Sequence, residues 1–209
     1  MKKTILFDLD DTLIESMQVL GVAFVHLFEK LNITMDLNVA QEKFLKMTQS
    51  EIFSYMKENF DVKQDEEWML HEIRKDIMDQ YAHTIPLKEG AKEFIEACSK
   101  KEMKMAVITS NYREVAQLVL NRFGLLPYIS NIYSAEELGM SKREKGIYEY
   151  VLKDLDTKSE EAILFEDSIY AILVAKELNI DCIGLINETN KKVFEEYGIR
   201  MIKNYKELL

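Results

Sequence analysis

From residue 86 onward, short apolar runs alternate with stretches of helical periodicity, and this alternation restricts the fold more than any other feature of the chain. Helical spacing covers 89–101, 112–123, 144–155, 168–178 and 190–197, while strand-like runs cover 103–109, 129–134, 162–165 and 181–186, with 201–202 as an edge strand. Strands separated by helices imply right-handed crossovers and a parallel sheet covered on both faces. In such a sheet ligands gather beyond the carboxyl ends of the strands.

One further strand, Thr4–Phe7, opens the chain, and no strand pattern interrupts the residues that follow it up to about 85. Helical spacing there predicts helices over 14–31, 38–47, 48–59 and 65–83, the last three opening on Asn38, Thr48 and Asp65 as capping residues. The expected fold class is α/β: a Rossmann-like parallel-sheet core built from 1–14 and 86–209, with 15–85 inserted as an all-helical cap domain.

The first strand ends in Asp8-Leu9-Asp10-Asp11-Thr12. Side chains alternate along an extended chain, so Asp8 and Asp10 are aimed to one side and Leu9 to the other. Carboxylates brought together repel, and burial pushes at least one toward its neutral form, unless a hard divalent cation supplies the missing charge. The pair points to a metal site, a proton-transfer site, or both. The competing reading has Asp10, Asp11 and Thr12 forming a turn that caps the next helix, but it leaves Asp8 unexplained.

Three later segments end in the same manner. The run 105–108 leads into Thr109, Ser110 and Asn111, whose hydroxyls and amide suit phosphate oxygens, or alternatively cap the next helix. Lys142 lies in a loop before a helix and suits pairing with a carboxylate and a phosphoryl group, with Lys145 a competing candidate. The run 162–165 leads into Glu166 and Asp167, expected as metal ligands, Glu166 directly or through water; Asp167 or Ser168 capping the next helix is the alternative.

The net charge of −10 opposes binding to nucleic acid or to an anionic membrane. Only Cys98 and Cys182 occur, too far apart to suggest a disulfide framework or a zinc site. The apolar run after Met1-Lys2-Lys3 is broken by Asp8, too early for a signal peptide, and no segment has the roughly 18 apolar residues that span a bilayer. A cytoplasmic protein is expected. His26, His71 and His83 lie on helices without metal spacing, and Trp68 and the Met and Phe residues of 15–85 are expected to pack.

With these residues in place, FDLDDTL resembles the first motif, DxDxT, of the haloacid dehalogenase-like hydrolase superfamily. Thr109 matches its second motif, and the stretch from Lys142 to Tyr148 resembles KPxPxxF/Y, with both prolines replaced, by Arg143 and Lys145. FEDSIYAILVAKELNI resembles the fourth motif, with Ala171 where Gly is usual. The resemblance implies that Asp8 is a nucleophile forming a phospho-aspartate and Asp10 the general acid and base. It further implies that Thr109 and Lys142 hold the phosphoryl group, and that Mg2+ is bound by Asp8, Asp10 and Asp167.

The implied activity is hydrolysis of a small phosphorylated metabolite. Dehalogenases of the family lack the second Asp. Its sugar phosphomutases carry a His where this chain has Leu20, so hydrolysis is preferred to mutase action. A non-catalytic phosphate- or Mg2+-binding regulator on the same scaffold is the reading from a different class.

Overall fold

The computed structural model describes residues 2–44 and 47–209, which divide into two compact units: the residues up to Ser16 with Ile85–Leu209, and Met17–Thr84. The first unit is built on six parallel strands: β1 (Thr4–Phe7), β2 (Lys104–Thr109), β3 (Asn131–Ser134), β4 (Ala162–Glu166), β5 (Asp181–Leu185) and β6 (Met201–Ile202). Their order across the sheet is β3-β2-β1-β4-β5-β6, with β6 at the edge. The order reverses direction between β1 and β4, which pair in register from Thr4 with Ala162 to Phe7 with Phe165. That switch point is where an open parallel sheet leaves a crevice for a ligand.

The strands are apolar nearly throughout because both faces are covered. Six helices of this unit supply the cover: α5 (Ala91–Lys100), α6 (Arg113–Arg122), the one-turn α7 (Ala135–Leu138), α8 (Lys145–Asp154), α9 (Ile169–Glu177) and α10 (Lys191–Glu196). One core cluster joins Leu6, Ala106, Ile108 and Leu164 to Ile147, Tyr148 and Val151 of α8 and to Ala171 and Ala175 of α9. On the other side, Phe7 stacks on Phe165 with centroids 5.4 Å apart, and Phe94 and Tyr205 close against both rings. This aromatic group fixes Phe7 and Phe165, each one step before an acid.

Gly184 of β5 pairs in register with Glu166. A Cβ placed there would meet the buried Phe194 ring of α10 at 2.4 Å. We therefore expect Gly184→Ala to lose about 1–3 kcal/mol of stability in urea unfolding; an unchanged transition would mean that α10 yields freely.

The second unit is helical: α1 (Val19–Lys30), α2 (Leu37–Phe44), α3 (Gln49–Asn59) and α4 (Glu66–His83). Its core draws Ala23, Leu27 and Phe28 from α1, Ile52, Phe53 and Met56 from α3, and Met69 and Ile73 from α4, with Trp68, Met35 and Phe44 packed against them. Thr48 caps α3 in a reciprocal box with Glu51, and Asp65 caps α4 through the Trp68 N–H, as the sequence suggested. The expected cap at Asn38 is corrected: α2 opens at Leu37, and Asp36 accepts the Val39 N–H. Residues 45 and 46 of the stretch expected to be helical lie outside the described residues. His26 bonds Asp76 at 2.7 Å and His83 lies 3.7 Å from Asp79. No helix among the described residues is long and apolar enough to cross a membrane.

The largest departure from expectation is the start of α1, at Val19 rather than at residue 14. Ile14, although helically spaced with Met17 and Leu20, forms bridges to Asp10 and Leu87 instead. The Glu15 N–H donates to the Pro86 carbonyl and the Lys88 N–H to that of Leu13. The outgoing and returning chain thus tie each other down within the first unit.

Candidate active site

The chain leaves β1 through a tight turn in which the Leu13 and Ile14 N–H groups donate to the Leu9 carbonyl and Asp11 takes a positive φ of 54°. Asp tolerates that left-handed geometry better than most residues. The Asp11 carboxylate accepts the Ser16 N–H at 3.0 Å, closing the turn from the far side. With α1 starting only at Val19, after Gln18, the helix-cap reading of Asp10, Asp11 and Thr12 is set aside. Leu9 is driven inward, and Asp8, only 4% exposed, is held at the sheet's carboxyl edge.

Asp8, Glu166 and Asp167 each offer a carboxylate oxygen, and these oxygens lie within 4.8 Å of one another. Lys142 reaches the same point: its ammonium is 2.5 Å from Asp8 Oδ1 and 2.8 Å from Glu166 Oε2. Lys145, by contrast, pairs with Glu177 on the exposed side of α8. Of the two lysines, Lys142 is the one that meets the carboxylates at the strand ends. Tyr148, buried on α8, donates its hydroxyl to the Lys142 carbonyl at 3.2 Å and anchors the loop.

The cluster holds three carboxylates and one ammonium, which pairs with two of them, so it is short of positive charge. Burial first, then Glu166, push Asp8 up to about 8 despite the opposing pull of Lys142. Burial, then Asp8 and Asp11, push Asp167 up to about 7. Lys142 is raised by the two acids beside it, against its own burial, and stays protonated. A set of hard oxygen donors that burial renders reluctant to ionise fits a divalent cation such as Mg2+, whose charge reverses that tendency. Glu166 is the least available donor: its Oε1 accepts the Ser168 N–H and its Oε2 pairs with Lys142.

Asp10 is turned toward β2, where Asn111 donates its amide to Asp10 Oδ2 at 2.6 Å. Ser134, at the end of β3, donates to the Asn111 carbonyl at 2.8 Å and fixes that loop. Thr109 is fully buried, and its hydroxyl accepts the Asn111 N–H while still carrying a proton to donate. Ser110, rather than Thr109, lines the cavity. Neither Ser110 nor Asn111 caps α6, which opens after Tyr112. Ser168 precedes α9 without a side-chain cap bond, so capping does not account for the acids beside it.

These groups surround a cavity of about 310 Å3 whose walls carry Asp8, Asp10, Asp11, Glu166 and Asp167 with Lys142 and Arg143. Ser134 escaped the sequence reading as a supporting residue, and so did a second one. Asn190, just before α10, donates to the Asp167 and Leu185 carbonyls, both at 2.9 Å, and so fixes the backbone that presents Asp167. Its only sequence signal is an Asn at a helix start, which says nothing of a partner 23 residues away.

A family model described as "Haloacid dehalogenase-like hydrolase" matches residues 5–185. Validoxylamine A 7'-phosphate phosphatase of Streptomyces hygroscopicus subsp. limoneus is 25% identical over 95% of this chain and 92% of its own length. Glyceraldehyde 3-phosphate phosphatase of Methanocaldococcus jannaschii is 26% identical over 100% and 96%. Among solved structures, the "putative beta-phosphoglucomutase" of Thermotoga maritima superposes with a TM-score of 0.86 at 21% identity over 100% of this chain and 97% of that one. At that identity it carries the fold alone.

Proposed function

The chain belongs to the haloacid dehalogenase-like hydrolase family, and from that premise we propose that it is a Mg2+-dependent phosphatase that hydrolyses a small phosphorylated metabolite through a phospho-aspartate at Asp8. The convergence of Asp8, Glu166 and Asp167 on one point beside Lys142 carries this reading. Relatives named as phosphatases of phosphorylated small molecules support it.

In the first half-reaction an Asp8 carboxylate oxygen attacks phosphorus, forming an acyl phosphate as the bond to the leaving oxygen breaks. Asp10 gives its proton to that oxygen. In the second, Asp10 takes a proton from water, which attacks the same phosphorus and returns the Asp8 carboxylate and inorganic phosphate. Asn111, bonded to Asp10, keeps the acid-base group facing the cavity. Lys142 offsets the negative charge at Asp8 and on the phosphoryl oxygens, while Glu166 holds Lys142 in place. The phosphate-binding groups proposed for the β2 end are Ser110 at the wall and, behind it, the buried Thr109 hydroxyl, which keeps a proton to donate. Held by Asp8, Asp167 and the Asp10 backbone carbonyl, with Glu166 behind them, Mg2+ would supply charge neutralisation for a dianionic substrate.

The helical unit is proposed to act as a cap that chooses the substrate. Leu20 on α1 carries no proton-transfer group, which favours hydrolysis over the mutase alternative. Release of phosphate from p-nitrophenyl phosphate, dependent on Mg2+ and abolished by chelation, tests the reading. Absence of turnover in the folded, Mg2+-loaded protein would favour a non-catalytic binder.

Asn190→Ala tests the support of the metal loop. Calorimetric Mg2+ affinity is expected to fall about tenfold, with the melting temperature lowered by the loss of two carbonyl partners. An unchanged Mg2+ affinity would remove Asn190 from the account.

A further inference from the structure

Arg143 is a cation that the hydrolytic scheme does not use. Lys142, the other cation of the cavity wall, is committed to Asp8 and Glu166. Arg143 instead lies over the exposed ring of Tyr170 on α9, with Cζ 4.8 Å from the ring centroid. Its backbone N–H donates to Ser141 Oγ at 3.1 Å, which fixes the loop beneath it. Where the motif pattern has a proline, this chain thus places an exposed arginine among the lining residues of the reaction cavity, its guanidinium held over a neighbouring aromatic face.

The charge balance says what such a group serves. Five carboxylates line the cavity, so any further anionic part of a substrate, beyond the phosphoryl group facing Lys142, meets repulsion unless a cation stands at that wall. A guanidinium is well suited, since its planar fork can hold a carboxylate or a phosphate by two parallel hydrogen bonds. Stacking on Tyr170 limits the rotamer freedom to be lost on binding. We propose that Arg143, oriented by Tyr170, binds a second anionic group of the substrate, and that this enzyme selects phosphomonoesters carrying one. The proposal rests on the phosphatase reading of the same cavity.

Binding of three unreactive phosphonates to the Mg2+-loaded full chain, read by calorimetry, tests it. Methylphosphonate presents one anion; 3-phosphonopropionate adds a carboxylate, and ethylenediphosphonate adds a second phosphonate. The wild type is expected to bind at least one of the two-anion compounds roughly tenfold or more tighter than methylphosphonate, and the compound showing the gain identifies the second group as carboxylate or phosphate. Arg143→Gln should collapse that ratio. Tyr170→Phe, which keeps the ring, should preserve it, and Tyr170→Ala should lower it. A wild type without preference, a ratio indifferent to Arg143→Gln, or an equal loss for all three compounds would overturn the proposal, the last by assigning Arg143 to the transferred phosphoryl group.

Turnover of p-nitrophenyl phosphate, which has no second anion, is measured in parallel. Turnover without the selectivity ratio defeats the Arg143 assignment and leaves the phosphatase reading standing. The ratio without turnover defeats hydrolysis and leaves the second-anion site standing.

Discussion

Asp8→Asn is expected to lower kcat on p-nitrophenyl phosphate by roughly 10^4-fold or more while the protein stays folded. The amide matches the carboxylate in shape but is a far weaker nucleophile and a poorer partner for a cation. Stability should change little, because Asp8 is buried and pushed up to about 8 by burial and Glu166, so the fold gains little from keeping it ionised. Lys142 also retains its pair with Glu166. Kinetics with excess Mg2+ and a thermal melt of the same sample check both halves of this expectation. A folded variant keeping more than about a hundredth of the activity would remove Asp8 as nucleophile.

Lys142→Met, of similar length but uncharged, is expected to be the more damaging change to the fold. It strands two buried carboxylates that now share one ammonium, and breaking a buried pair of this kind costs about 3–5 kcal/mol. Urea unfolding of the metal-free protein reads this loss. Excess Mg2+ should recover part of it, since a cation among the same oxygens substitutes for the ammonium. Turnover should fall about 10^2–10^3-fold, the scale for removing one stabilising donor from a transition state. Lys145→Met serves as the comparison: it breaks an exposed pair with Glu177 and should alter neither stability nor turnover measurably. Equal effects at the two lysines would contradict the assignment.

The contrast between these lysines marks where the sequence was legible. Acids at a strand end carry their own signal, because an apolar run that stops on Asp8 or on Glu166-Asp167 has no packing reason to do so. The alternating elements likewise announced a parallel sheet, whereas the strand order that sets β1 beside β4 is read only from the structure. Lys142 and Lys145 sit three residues apart in a loop and a helix start, where no periodicity separates an inward side chain from an outward one. Only the three-dimensional partners, Asp8 and Glu166 against Glu177, tell them apart.

The start of α1 was hidden for a related reason. Ile14 and Met17 continue a helical pattern, but Ile14 is claimed by Leu87, a contact between the outgoing and returning chain that local propensity cannot register. Asn190 was missed because its two hydrogen bonds reach carbonyls of other elements. Short α7 fell below the length at which helical spacing can be read, although Ser134 caps it through the Glu137 N–H.

Rapid acid quenching of the enzyme during turnover, followed by peptide mass spectrometry, tests the covalent intermediate most directly. The account predicts a single added phosphoryl group on the peptide that carries Asp8, located on that residue and absent from Asp8→Asn. A phosphoryl group on another side chain, or steady turnover with no phosphopeptide at any quench time, would contradict it.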